Sequence, residues 1–181
     1  MSLNQPEIES LVKANIREVM DFPKSGISFK DITPLLLDPR VSQQILEALI
    51  EFAKPLNLDA IAGIDSRGFL FGPSLARALE IPFVLVRKKG KLPADTIEVE
   101  YHLEYGSACL EMHKDAIKPG DRVLIHDDLL ATGGTAKASA QLVEQLGGEV
   151  AAFAFIIDLA FLKGSQQLEK FAPTYSLAVY S

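Results

Sequence analysis

The sequence predicts an α/β fold: an open, mostly parallel, twisted sheet flanked by helices. Three observations carry this. From Ala60 onward, short apolar runs alternate with helical stretches, which is the signature of parallel β-α-β units. The 181 residues suit a single domain. With 48% hydrophobic and 23% charged residues, the composition is that of an ordinary globular protein, neither disordered nor collagen-like.

In chain order, Ile8, Leu11, Val12, Ile16, Val19 and Met20 recur at helical spacing, so the first segment reads as one amphipathic helix ending at Phe22, Pro23, Ser25 and Gly26. Asp38 followed by Pro39 marks the next helix start, with Val41, Ile45, Ala48, Leu49 and Phe52 on its buried face. Strands are predicted at residues 60–64, 83–86, 123–126 and 150–157. Helices are predicted at 69–79 and 135–146, the second closed by Gly147 and Gly148. Residues 97–105 alternate apolar and polar, as a half-exposed antiparallel strand does, and Gly106 and Ser107 turn it back into residues 108–112.

Composition excludes several function classes. Eighteen Lys and Arg against 24 Asp and Glu give a net charge of −6, and a pI near 5.1 argues against a nucleic-acid partner. One cysteine, Cys109, forms no internal disulfide, and His102, His113 and His126 lack zinc-finger spacing. The longest apolar run, Val150 to Ile157, is too short to span a bilayer, so no membrane association is expected. Glu7 and Glu9 stand where a secretory signal would be basic, so a cytoplasmic location is expected.

The most informative stretch is VLIHDDLLATGGT, from Val123 to Thr135. An apolar strand runs into two carboxylates, and a Thr- and Gly-rich turn then opens a helix. In an open parallel sheet, ligands bind beyond the C-terminal strand ends, where this turn lies. Ala131, Thr132, Gly133, Gly134 and Thr135 form a phosphate cradle of close backbone, two hydroxyls and free helix N–H groups. It matches neither the Walker A loop nor the dinucleotide fingerprint. Asp127 and Asp128 would repel a phosphate unless they face hydroxyls or a metal, and a sugar phosphate satisfies both requirements. Ser66 and Arg67 follow another strand and open another helix at the same sheet edge, a suitable seat for pyrophosphate. Arg87, Lys88, Lys89 and Lys91 form a basic cluster in an acidic chain, which would stabilise a departing pyrophosphate.

This strand, acid pair and Thr-Gly-Gly-Thr loop resemble the signature of the purine and pyrimidine phosphoribosyltransferases. DFPKSGISFKDITPLL from Asp21, AGIDSRGFLFGPSLA from Ala62, VRKKGKLP from Val86, YHLEYG from Tyr101 and LKG at Leu162 narrow the resemblance to the adenine-specific members of that family. The resemblance implies transfer of ribose 5-phosphate from phosphoribosyl pyrophosphate to adenine, giving AMP and pyrophosphate. It implies a type I phosphoribosyltransferase-like fold: a single domain over 1–181, with an N-terminal helix and base-binding hood over about 1–36. A sheet core over about 58–160 would carry a flexible antiparallel flap at about 88–112. Arg67, Ser66, Arg87, Lys88 and Lys91 would hold pyrophosphate, and part of the basic cluster would reach across a homodimer interface. Glu104 on the flap would be the proton-transfer group. Phe29 would stack on the base, Leu159 would pack on its other face, and main-chain groups near Ser28 and Lys30 would read its edge. Lys30 departs from the family's usual Arg, and His126 stands where Val is common and is read as packing. Mg2+ would be carried mainly by the substrate's own oxygens, with no dedicated protein ligands. The alternatives are another purine base, a non-catalytic phosphoribosyl pyrophosphate sensor, or a phosphohydrolase using the two acids.

Overall fold

The computed structural model describes residues 3–102 and 107–181. In chain order the elements are α1 (Gln5–Asn15), β1 (Arg17–Met20), β2 (Ser28–Asp31), α2 (Thr33–Leu37), α3 (Pro39–Ala53), β3 (Ala60–Ile64) and α4 (Gly72–Ala78). They continue with β4 (Phe83–Lys88), β5 (Thr96–His102), β6 (Ser107–His113), β7 (Arg122–Leu130), α5 (Gly134–Gln145), β8 (Glu149–Leu159), α6 (Gly164–Leu168) and β9 (Thr174–Tyr180). Among the described residues, seven strands form one sheet in the order β5-β6-β4-β3-β7-β8-β9. Strands β4, β3, β7, β8 and β9 run parallel, and β6 and β5 extend the β4 edge antiparallel. The expected open, mostly parallel sheet is therefore present, with β5 and β6 paired as the alternating pattern requires.

Both faces of the sheet are buried, and the period of two along each strand shows how. On β8, Phe153 and Phe155 point into one core while Ala152, Ala154 and Ile156 point into the other. On β7, Val123 and Ile125 oppose Leu124. The first core is closed by α5 through Ala136, Ala140, Leu142 and Val143. The second is closed by α1, α3 and α4 through Ile8, Val12, Ile45, Leu49 and Leu75. Each large apolar side chain so buried contributes about 1.5–3 kcal/mol. Asp38 caps α3 by accepting the Arg40 N–H at 2.8 Å, as its place before Pro39 requires.

Two expectations are corrected, and two elements are added. The first helix stops at Asn15, whose side chain donates to the Leu11 carbonyl, and does not continue to Met20. Residues 17–20 instead pair with β2 in the register Arg17↔Asp31, Glu18↔Lys30, Val19↔Phe29 and Met20↔Ser28. Two opposite-charge pairs across that ladder, Arg17 with Asp31 and Glu18 with Lys30, offset the loss of helix, and Met20 is 66% exposed. The helix expected at 69–79 is divided: a 3-10 turn at Arg67–Phe69 precedes α4, which starts afresh at Gly72 and Pro73. Strand β9 and the short α2 have no counterpart in the sequence reading.

Candidate active site

Strands β3 and β7 lie side by side and parallel, with Ala60 opposite Val123 and Gly63 opposite His126, so the turns that follow them open at the same sheet edge. The turn after β7 leads into α5. Gly133 occupies the N-cap with φ +84°, and the Lys137 N–H closes the first helical bond on its carbonyl at 2.9 Å. The N–H groups of residues 134–136 are therefore left without intrahelical acceptors. A Cβ at Gly133 would lie 2.7 Å from the Gly164 carbonyl oxygen, and one at Gly164 would lie 2.1 Å from that of Ala131. Two glycines thus let this turn, the anion cradle expected from the sequence, rest directly on the chain at the start of α6.

Ala131, Thr132, Gly133, Gly134 and Thr135 all line one cavity of about 210 Å3, together with Arg67, Asp127 and Phe155. The Thr135 hydroxyl also lies 3.4 Å from the Tyr101 hydroxyl on β5. The two carboxylates differ in their surroundings. Asp127 faces the cavity, and its Oδ1 accepts the Asp128 N–H at 2.8 Å. Asp128 is 1% exposed, with Oδ2 3.2 Å from the Arg67 Nε. That contact is an ion pair outside hydrogen-bond geometry, and among the described residues Oδ2 has no hydrogen-bond partner. Burial, with the Asp128 charge added, pushes the Asp127 carboxyl well above the usual range. Burial also raises Asp128, with the Arg67 guanidinium opposing it. An unpartnered buried acceptor and a raised carboxyl pair fit ligand hydroxyls and developing positive charge.

His126 points away from this cavity, fully buried. Its Nδ1 lies 2.9 Å from the Ala154 carbonyl, so that nitrogen carries the proton, and burial lowers its pKa to about 4. It packs, as the sequence implies.

After β3, the peptide from Asp65 to Ser66 is cis, Ser66 is exposed, and Arg67 opens the 3-10 turn. A Cβ on Gly68 would lie 2.6 Å from the His126 carbonyl oxygen, so this turn presses against β7 and brings Arg67 to Asp128. The basic cluster divides. Arg87 donates from Nε to Asp65 Oδ2 at 2.8 Å and from Nη1 to the Lys91 carbonyl at 3.0 Å. Lys89 pairs with Glu98 at 2.6 Å, while Lys88 and Lys91 are exposed.

A second cavity, of about 480 Å3, is lined by Ser28, Lys30, Thr132 and Leu159, and also by Phe161 and Tyr180. Thr132 lines both cavities, so the anion turn adjoins this more apolar chamber. Phe29 is not among the lining residues. Its ring sits edge-on to Phe22 at 5.2 Å and under the Arg67 guanidinium at 5.6 Å. The Lys30 ammonium is engaged by Glu18, lies 3.4 Å from the Ser28 hydroxyl and sits 4.7 Å from the Tyr180 ring centroid. Glu18, Phe161 and Tyr180 were missed by sequence reasoning. Only the alternating pattern of residues 174–180 could have signalled Tyr180. Glu104 lies outside the described residues.

The phosphoribosyl transferase domain family matches residues 40–178. An adenine phosphoribosyltransferase of Cytophaga hutchinsonii is 49% identical over 174 residues, covering 96% of each chain. The crystal structure of adenine phosphoribosyltransferase from Thermoanaerobacter pseudethanolicus is similar at a TM-score of 0.91 and 50% identity, covering 96% of this chain and 99% of that one. The Saccharomyces cerevisiae adenine phosphoribosyltransferase, complexed with adenine and an imino-altritol bisphosphate, is similar at 0.89 and 41% identity, covering 95% and 99%. An anion turn, a buried acid pair and an Arg-bearing turn meeting at one parallel-sheet edge, together with likeness of this extent, place the chain in the phosphoribosyltransferase family.

Proposed function

We propose that the chain transfers the ribose 5-phosphate group of phosphoribosyl pyrophosphate to adenine, giving AMP and pyrophosphate in purine salvage. The observation that carries this reading is the adjoining pair of cavities. One is polar and lined by Arg67, Asp127 and the anion turn. The other is more apolar and lined by Leu159 and Phe161, with Thr132 shared between them.

The 5-phosphate would rest on Ala131 to Thr135, where free N–H groups and two hydroxyls receive it. Asp127 and Asp128 would hold the ribose hydroxyls. In the reaction the bond from the sugar carbon to pyrophosphate breaks and a bond to adenine N9 forms, so positive charge develops on the sugar in between. A raised, buried carboxyl pair ionises more readily as that charge appears, which favours the transition state over the ground state. Ser66, Arg67, Arg87, Lys88 and Lys91 would receive the leaving pyrophosphate, and Glu104 the N9 proton. Among the described residues no group of three or more His, Cys, Asp or Glu side chains is gathered to hold a metal. Asp127 and Asp128 offer too few oxygens to cage Mg2+, which would arrive on the substrate's oxygens.

Adenine would enter the second chamber between Leu159 and the β2 backbone, with its edge read by main-chain groups at Ser28 and Lys30 and its face stacked on Phe29, whose ring lies under the Arg67 guanidinium. A homodimer follows from the resemblance, and sedimentation at micromolar concentration tests it. A cytoplasmic location is proposed, and fractionation against compartment markers tests it; among the described residues no helix is long and apolar enough to cross a membrane. The reaction is tested by comparing adenine, hypoxanthine, guanine and xanthine as acceptors at saturating phosphoribosyl pyrophosphate. Adenine-dependent AMP formation is expected, and preference for another base would overturn the substrate.

A further inference from the structure

Glu111 lies in β6, directly opposite Arg87 on β4, and is only 3% exposed. Cross-strand partners share a face, so an Arg87–Glu111 ion pair would be the ordinary arrangement. The structure has a different one. The Arg87 guanidinium reaches sideways to Asp65 Oδ2 at 2.8 Å and to the Lys91 carbonyl at 3.0 Å. Glu111 turns its Oε1 to the backbone N–H groups of Lys91 and Leu92, each at 2.7 Å. Burial pushes the Glu111 carboxyl up, but the N–H groups of Gly90, Leu92 and Lys91, aided by His113, outweigh it and hold the carboxyl below its usual range. Glu111 is thus an anion at neutral pH.

The Lys91 residue is consequently gripped from both sides, its N–H by Glu111 and its carbonyl by Arg87. Arg87 is itself tied to Asp65, which directly precedes Ser66 and Arg67. One continuous chain of charge-assisted hydrogen bonds therefore runs from β6, through the basic turn, to the turn that carries Arg67. Without it, the exposed turn over Lys88, Lys89, Gly90 and Lys91, with Gly90 at φ +80°, would keep the Lys91 N–H to Lys88 carbonyl contact at 3.2 Å, the Lys89 N–H to Cys109 carbonyl contact at 3.0 Å and the Lys89–Glu98 ion pair at 2.6 Å, none of which holds the Lys91 carbonyl or the Leu92 N–H.

We propose that Glu111 is a positioning residue for the pyrophosphate half of the site, clamping the main chain of Lys91 and Leu92 so that Lys88 and Lys91 are presented beside Arg67. The inference rests on assigning this basic cluster to pyrophosphate. It places a determinant of substrate affinity on a buried side chain that touches no substrate.

The test is calorimetric titration of wild type and Glu111→Gln with magnesium pyrophosphate and, separately, with AMP, alongside steady-state kinetics. Gln keeps the volume but loses the charge and turns one acceptor into a donor. Pyrophosphate affinity is expected to fall at least tenfold and KM for phosphoribosyl pyrophosphate to rise at least fivefold. AMP affinity and KM for adenine should stay within twofold, and the Lys91 and Leu92 amides should exchange faster. Unchanged pyrophosphate affinity in a folded Glu111→Gln variant would overturn the positioning role. Equal weakening of AMP and pyrophosphate would also overturn it, because the residue would then support the fold as a whole. A wild-type protein that binds AMP but no pyrophosphate would remove the assignment of the basic cluster itself, and the inference with it.

Discussion

At Asp127 stability and the proposed chemistry pull in opposite directions. Its folded pKa lies above the ordinary 3.8, through burial and the neighbouring Asp128 charge, so the folded protein holds this proton to higher pH than the unfolded chain does. Stability therefore falls as pH rises from about 3.8 toward the folded value, and the penalty is fully present above it. Asp127→Asn keeps an acceptor for the Asp128 N–H and removes the charge. Thermal unfolding at pH 7 should show the variant equal to wild type or more stable by about 0.5–2 kcal/mol, with turnover greatly reduced. A variant that is less stable yet fully active would reverse both roles.

His126 titrates in the opposite sense. Its pKa falls from 6.5 to about 4 in the folded protein, so stability is intact above 6.5 and lost as pH drops toward 4. That shift corresponds to at most roughly 3 kcal/mol. In denaturant melts, His126→Val should flatten this acid limb between pH 6.5 and 4, and an unchanged limb would assign it to other groups. At Gly133, both the positive φ and the contact with Gly164 oppose any side chain. Gly133→Ala should cost about 1–3 kcal/mol and weaken AMP binding at least tenfold. Calorimetry with AMP checks it, and wild-type affinity would separate this turn from the 5-phosphate.

At the scale of elements, the sequence was most legible where periodicity and punctuation agreed. Asp38-Pro39 set the start of α3, Gly147 and Gly148 closed α5, and the apolar runs marked β3, β4, β7 and β8. It was least legible at β1, because Ile16, Val19 and Met20 continue the spacing of α1 and nothing local signals that Glu18 will pair across to Lys30. Long-range pairing overrides local pattern in such short strands. The same blindness hid Tyr180, which reaches the second cavity only because β9 adds to the sheet edge beside β8. The acid pair and the glycine turn, by contrast, are contiguous in sequence, so their place from the end of β7 into α5 could be read directly.

The Glu18–Lys30 link gives this pairing a measurable consequence. Lys30 is nearly buried while Glu18 is half exposed, so Glu18→Ala strands an ammonium beside the Tyr180 ring. A cost of about 1–2 kcal/mol is expected, discounted for the exposed partner. KM for adenine should rise several-fold while KM for phosphoribosyl pyrophosphate stays unchanged. Equal rises in both would mean that β1 and β2 serve the fold and not the base.

Across the whole molecule, the parallel sheet brings the turns that follow Ile64 and Leu130 to one edge, and β2, β8 and β9 build a more apolar chamber next to them. Adenine offers an amino donor at C6 and an acceptor at N1, and hypoxanthine inverts both. Two mismatched buried groups, at about 1–3 kcal/mol each, predict a preference for adenine of roughly thirtyfold to twenty-thousandfold in kcat/KM.

The reaction itself is tested most directly by mixing the protein with phosphoribosyl pyrophosphate and magnesium, with and without adenine, and quantifying AMP, pyrophosphate and inorganic phosphate. Phosphoribosyl transfer to adenine predicts AMP and pyrophosphate in equal amounts, formed only when adenine is present. Release of inorganic phosphate without adenine, or no adenine-dependent pyrophosphate at all, would contradict it.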